Sequence, residues 1–224
     1  MLEERVMTLK TTLIEYATHV ESMIEKSVKG LLQKDQRLLN EVIEQDEPRA
    51  NNWEIELEEA CTHIIAQFQP VARDLRTILM VFEITGNLER MADHAVNIAE
   101  SALYLIERPP VKPLIDTPRM AEEVVGMVKD SLQSFIDGDA KLAKSVCERD
   151  DTVDGLANQI LRELITYMGA DPSTIERSLH LLDVAGNLER VADLSTNIGE
   201  DVIFMVEGRV IKHHHEDDEH IGRT

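Results

Sequence analysis

The sequence predicts an all-α protein of two tandem three-helix bundles related by an internal repeat. Three observations carry this. Aromatics are 4% of the 224 residues, and the apolar content rests on aliphatic side chains, which favours helices over sheets. Only 10 Gly and 7 Pro are present, so turns are few and the elements between them long. Finally, VFEITGNLERMADHAVNIAE (81–100) matches LLDVAGNLERVADLSTNIGE (181–200) at ten of twenty positions without a gap, 100 residues apart. The repeat extends backwards: 30–46 matches 134–150 at a spacing of 104, so the first copy holds four extra residues between the blocks.

Each copy reads as three helices. The first copy covers 3–29, 35–67 and 71–107, and the second covers 118–136, 139–168 and 172–207. Asp35 suits an N-cap, and Gln69-Pro70 ends the second helix, because the residue before proline is pushed out of the α region. Pro48 lies inside that helix, removes a backbone hydrogen bond and predicts a kink costing about 3 kcal/mol. Asp137-Gly138-Asp139 and Gly169-Ala170-Asp171-Pro172 break the second copy, with Pro172 at a helix start. Four of the seven prolines fall within 107–118. The organisation is therefore a first bundle at 1–107, a linker at 108–117, a second bundle at 118–212 and a polar tail at 213–224. Short connections make neighbouring helices antiparallel and predict long, thin, up-down-up bundles.

Charge excludes several functions. With 43 acidic against 23 basic residues and a net charge of −20, the chain is poorly suited to bind nucleic acid or anionic lipid. No apolar run approaches about 18 residues and MLEERVMTLK is no signal peptide, so no membrane insertion is expected. Cys61 and Cys147 have no CxxC neighbour and read as buried inert thiols in a reducing cytoplasm.

At about 100° per residue, Ile84, Leu88, Met91, Ala95, Ile98, Ala102 and Leu105 form one apolar stripe. Glu89, Asp93, Asn97 and Glu100 lie on the opposite face. The second copy repeats this, with Val184, Val191, Ile198, Val202 and Met205 against Glu189, Asp193, Asn197 and Glu200. Between copies the apolar stripe has drifted, as Met91/Val191 and Ala95/Ser195 show, while the acidic face is identical. A solvated face normally drifts fastest, so this one is held by something. Like charges at i,i+4 repel in a bare helix, and a cation reverses that sign. If the second and third helices turn near 69–70, Asp46 is level with residue 93. Asp150 is likewise level with residue 191, and Asp154 follows one turn later. The expected metal ligands are Asp46, Glu89, Asp93, Asn97, Asp150, Asp154, Glu189, Asp193 and Asn197. Oxygen donors favour iron, manganese, magnesium or calcium, with zinc possible. No histidine follows a Glu by three residues, which argues against a ferritin-type di-iron centre.

Other features weigh less. His94 lies beside the first acidic group, but Leu194 replaces it in the second copy. Arg90 and Arg190 suit a salt bridge or an anion. RDLR (73–76) offers two cations near a helix start but reads more safely as a packing segment. His213, His214 and His215 with Glu216, Asp217 and Asp218 read as a solvated tail. GxSxG, Walker and HExxH motifs are absent, so no catalytic or cofactor-binding residues are assigned and the chain is not expected to be an enzyme.

The segments LERMADHAVNIAE and LERVADLSTNIGEDVIF, with QPVARDLRTIL upstream of the first, closely resemble the signature segments of the PhoU family. The resemblance covers nearly the whole chain. It implies a cytoplasmic, dimeric adaptor and negative regulator of phosphate uptake and starvation signalling, coupling the ATPase subunit of a phosphate ABC transporter to a sensor histidine kinase. It also implies metal ions on Glu/Asp-xxx-Asp motifs, here Glu89 with Asp93 and Glu189 with Asp193. Asp150 with Asp154 resembles the acidic pair of the preceding helix, while Ala50 stands where the partner of Asp46 is expected. Two rivals are a metal-storage protein and a carboxylate-bridged dimetal hydrolase.

Overall fold

The computed structural model describes residues 1–207. The tail at 213–224 and the last residues of the expected second bundle lie outside the described residues. The elements are α1 (Leu2–Gln33), α2 (Gln36–Glu41), a π-helical turn (Val42–Asp46), α3 (Glu47–Phe68), α4 (Ala72–Ile106), α5 (Asp116–Asp137), α6 (Ala140–Ala170), a 3₁₀ turn (Pro172–Thr174) and α7 (Ile175–Glu207). The sequence-based boundaries hold to within a few residues.

Equivalent devices start the second helix of each copy. Asp35 accepts from the N–H groups of Arg37 and Leu38, and Asp139 from those of Lys141 and Leu142. Before them, the Asp35 N–H donates to Gly30 O and the Asp139 N–H to Ser134 O, both at 2.9 Å. Lys34 and Gly138, with φ of 55° and 63°, close the preceding helices.

At Pro48 the break expected from sequence takes a specific form. The Glu47 N–H reaches back five residues to Val42 O, closing a π turn just before the proline. The wider turn accommodates a ring that would clash with the carbonyl four residues back.

Packing joins the halves flank to flank. α1 and α4 pack together, as do α5 and α7, and α4–α7 and α1–α5 contacts bind the pairs into a central layer. α3 and α6 lie outside, each against the inner helices of its own half. The apolar stripe is the core: Ile84, Leu88, Met91, Ala95, Ile98 and Ala102 are fully buried, as are Val184, Val191, Ile198 and Val202.

Hydrogen bonds set the α4–α7 register. His94 Nδ1 lies 2.9 Å from Asn187 Oδ1, and the Ser101 hydroxyl donates to Asp183 Oδ2 at 2.9 Å. Tyr104 stacks on His180 with ring centroids 3.9 Å apart. Position falls on α7 as it rises on α4, so the helices are antiparallel. Continuing the register puts residue 89 level with 193, and 93 level with 189.

Candidate functional site

The repeated acids sit in two trios, one per half, at a common level along the α4–α7 seam. In the first half, Glu89 and Asp93 on α4 are joined by Glu54 on α3. Burial raises the Glu89 carboxyl above its ordinary range, and Asp93 and Glu54 add to the rise. Glu54 is raised by burial, then by Glu58 and Asp93. Tyr16 on α1 backs this trio. Burial pushes its phenol up, and Glu54, Glu89 and Asp93 push it further. The Tyr16 ring is fully buried, stacks on Trp53, and its hydroxyl has no hydrogen-bond partner among the described residues.

In the second half the trio is Asp154 on α6 with Glu189 and Asp193 on α7. Glu189 is raised by burial, then by Asp154 and Asp193. Asp193 is raised by burial and Asp154, while Arg190 and His94 pull it down. Thus His94, carried by α4, acts on an acid of the other half, Asp193. Its sequence equivalent, Leu194, is buried.

One expected ligand, Asp46, lies elsewhere. Asp46, 7% exposed, ends the π turn and takes a 2.7 Å hydrogen bond from Lys26 Nζ, which also binds Glu41 at 2.6 Å. Burial opposes the charge on Lys26, but these two hydrogen bonds outweigh it and raise its pKa. Asp150 lies beside Cys147, whose thiol burial pushes to about 11, with Glu200 and then Asp150 adding to the rise. Asn97 turns to the seam, with Nδ2 3.4 Å from Asn187 Oδ1, and Asn197 is exposed. The Arg90 guanidinium donates to Asn87 Oδ1 at 2.5 Å, a contact within α4. Cys61 and Cys147 are free thiols, the first buried and the second half-buried.

Glu54 escaped the sequence reading because the offset between copies changes inside the second helix. Asp46 pairs with Asp150 at 104, whereas Glu54 pairs with Asp154 at 100, the spacing of the third helices. The four extra residues fall between Asp46 and Glu54, directly after the π turn that Asp46 ends. Four residues exceed one α turn by about 40°, and a wide turn takes up such an excess. Running the spacing of 100 backwards from Asp154 was the signal that finds Glu54.

The acids of each trio act on one another through their fields. Among the described residues, no three His, Cys, Asp or Glu side chains converge closely enough to hold a metal ion as they stand. No described helix is long and apolar enough to cross a membrane.

Fold and site define a class: an internally duplicated all-α protein with a matched acidic trio in each half. Residues 13–102 and 117–202 each match the PhoU domain, and the chain belongs to the PhoU family. It is 44% identical over 206 residues to a protein of Aquifex aeolicus named phosphate-specific transport system accessory protein PhoU homolog, covering 92% of this chain and 93% of that one. A Thermotoga maritima protein, PhoU homolog 2, is 34% identical, covering 97% and 92%. The crystal structure of PhoU from Pseudomonas aeruginosa superposes with a TM-score of 0.89 at 33% identity, over 93% of this chain and all of that one. The Streptococcus pneumoniae regulatory protein PhoU, at 23% identity and a TM-score of 0.86 over 95% of this chain and all of that one, shares the fold.

Proposed function

We propose that this chain is a cytoplasmic, non-enzymatic adaptor and negative regulator of phosphate uptake and phosphate-starvation signalling, working between a phosphate ABC transporter and a sensor histidine kinase and carrying metal ions on its two trios. The phosphate role is supported by the PhoU match in both halves, together with relatives named as accessory proteins of phosphate-specific transport. The metal role rests on one observation: in each half a half-buried glutamate, Glu89 or Glu189, is raised by burial and by two neighbouring acids, on a helix face whose Glu and Asp the repeat keeps identical.

The residues fit a hard cation. Glu54, Glu89 and Asp93 in one half, and Asp154, Glu189 and Asp193 in the other, are oxygen donors suited to iron, manganese, magnesium or calcium. A bound cation supplies the positive charge that turns their repulsion into attraction. The orphan hydroxyl of Tyr16 gives the first trio a further polar group. His94 gives the second a nitrogen, which suits iron or zinc better. Side-chain rotation brings acids one helical turn apart toward a common ion. Both trios flank the α4–α7 seam, so their occupancy biases how the halves pack and which surface the partners meet. We read the working unit as a homodimer, checked by sedimentation.

Elemental analysis of purified protein tests the metal role: the native chain retains metal, and Asp93→Ala/Asp193→Ala releases it. Equal metal content in both removes that part. Deleting the gene tests the regulatory role: starvation genes switch on in phosphate-rich medium, and unchanged expression removes it.

A further inference from the structure

We propose that the cleft where Lys10, Arg73 and Arg76 converge docks a partner-protein segment that combines carboxylates with aliphatic side chains. Cations are scarce in a chain of net charge −20, yet here three from two helices gather around a single cleft of ≈ 340 Å³. None of them forms an ion pair among the described residues, whereas Lys26, Lys112, Arg108, Arg119 and Arg149 all do. Arg73 and Arg76 are exposed and three residues apart, so they share a face of α4. Lys10 Nζ stands 5.4 Å from the Phe135 ring centroid, which holds the ammonium at the cleft. One lining carboxylate, Asp137, already accepts a 2.6 Å hydrogen bond from Gln133 Nε2, and cations remain in excess.

The walls decide between a free anion and a peptide. Exposed ion pairs are individually weak, so these cations alone hold a phosphate-sized anion loosely. The cleft is also walled by Phe135, Ile136, Met205 and Val206. Val206 is 46% exposed, and Val71 at the start of α4 is 76% exposed. Aliphatic side chains would cover this surface while carboxylates meet the cations. The net negative charge repels an acidic segment elsewhere, so the cleft fixes where it docks.

The test measures fluorescence anisotropy of the full chain with the labelled peptide EDLEELDE. Controls are QNLQQLNQ, which lacks charge, and EDSEESDE, which lacks leucine. The acidic leucine peptide binds at least about tenfold more tightly than either control, and Arg73→Glu/Arg76→Glu weakens it by at least about tenfold without changing the melting curve. Lys10→Glu, on a different helix, gives a loss in the same direction. Four results overturn the proposal: no binding by the native chain, equal binding by the charge-reversed variants, equal binding of either control, or displacement by inorganic phosphate beyond that by sodium chloride of equal ionic strength. The last result marks a small-anion site instead.

Discussion

His94 on α4 and Asn187 on α7 meet at 2.9 Å, and this contact ties the first half of the repeat to the second. The link is one-sided. Asn87, the equivalent of Asn187, accepts from Arg90 on its own helix, and Leu194 stands where a second histidine would complete the symmetry. The two trios are therefore chemically unequal, although their α4 and α7 acids match.

Asn187 is 3% exposed, and its Nδ2 donates to Asp183 O at 2.8 Å. Asn187→Ala leaves His94 unpaired in a partly buried seam, a loss of about 1–3 kcal/mol. Asn97→Ala removes a longer contact from an exposed residue and stays within about 0.5 kcal/mol of the native chain. Calorimetry that ranks the two variants equally denies the seam contact this role.

Glu54 and Asp46 separate in a metal assay. Glu54→Gln lowers the metal content of the first trio, while Asp46→Asn leaves it unchanged. The reverse order in elemental analysis would restore the register expected from the sequence.

Lys26 is the counter-charge for buried Asp46. Lys26→Met strands that carboxylate and destabilises the fold by about 3 kcal/mol. Adding Asp46→Asn recovers part of the loss. A double-mutant cycle in urea with no coupling between the two changes rules the pair out.

Acidity should favour the metal-free fold at the trios. Burial and neighbouring acids raise Glu89 and Glu189 above their ordinary value of 4.5. The native state then binds more protons than the unfolded chain between 4.5 and the raised values, so this contribution to stability falls as pH rises through that window. Above it the penalty is complete. Glu89→Gln/Glu189→Gln therefore raises the melting temperature most near neutral pH with a chelator present, and the gain shrinks as pH falls toward 4.5. A gain that is constant across pH contradicts this.

Two glycines of α7 diverge under the same substitution. A Cβ at Gly186 meets nothing within 4 Å, so Gly186→Ala stabilises the helix by about 0.5–1 kcal/mol. A Cβ at Gly199 stands 3.0 Å from Ala143 O and 3.3 Å from Cys147 Sγ, so Gly199→Ala forces α6 away and destabilises by about 1–3 kcal/mol. Chemical denaturation giving the two changes the same sign would show that α6 and α7 are less closely packed.

The sequence alone determined the helices, their caps, the duplicated architecture and the acidic face that does not drift. Each follows from local chemistry: Asp35 and Asp139 cap their own helices, and a 3.6-residue period marks which side of α4 and α7 is buried. Tertiary structure decided which acids share a trio. Periodicity assigns a residue to a face but leaves the axial register between helices open, and four inserted residues turn the helix only about 40° past one full turn, which nearly preserves the face. Only the packing of α3 on α4 brings Glu54 to Glu89, only the packing of the π turn on α1 gives Asp46 to Lys26, and only the antiparallel seam of α4 and α7 carries His94 across to Asp193.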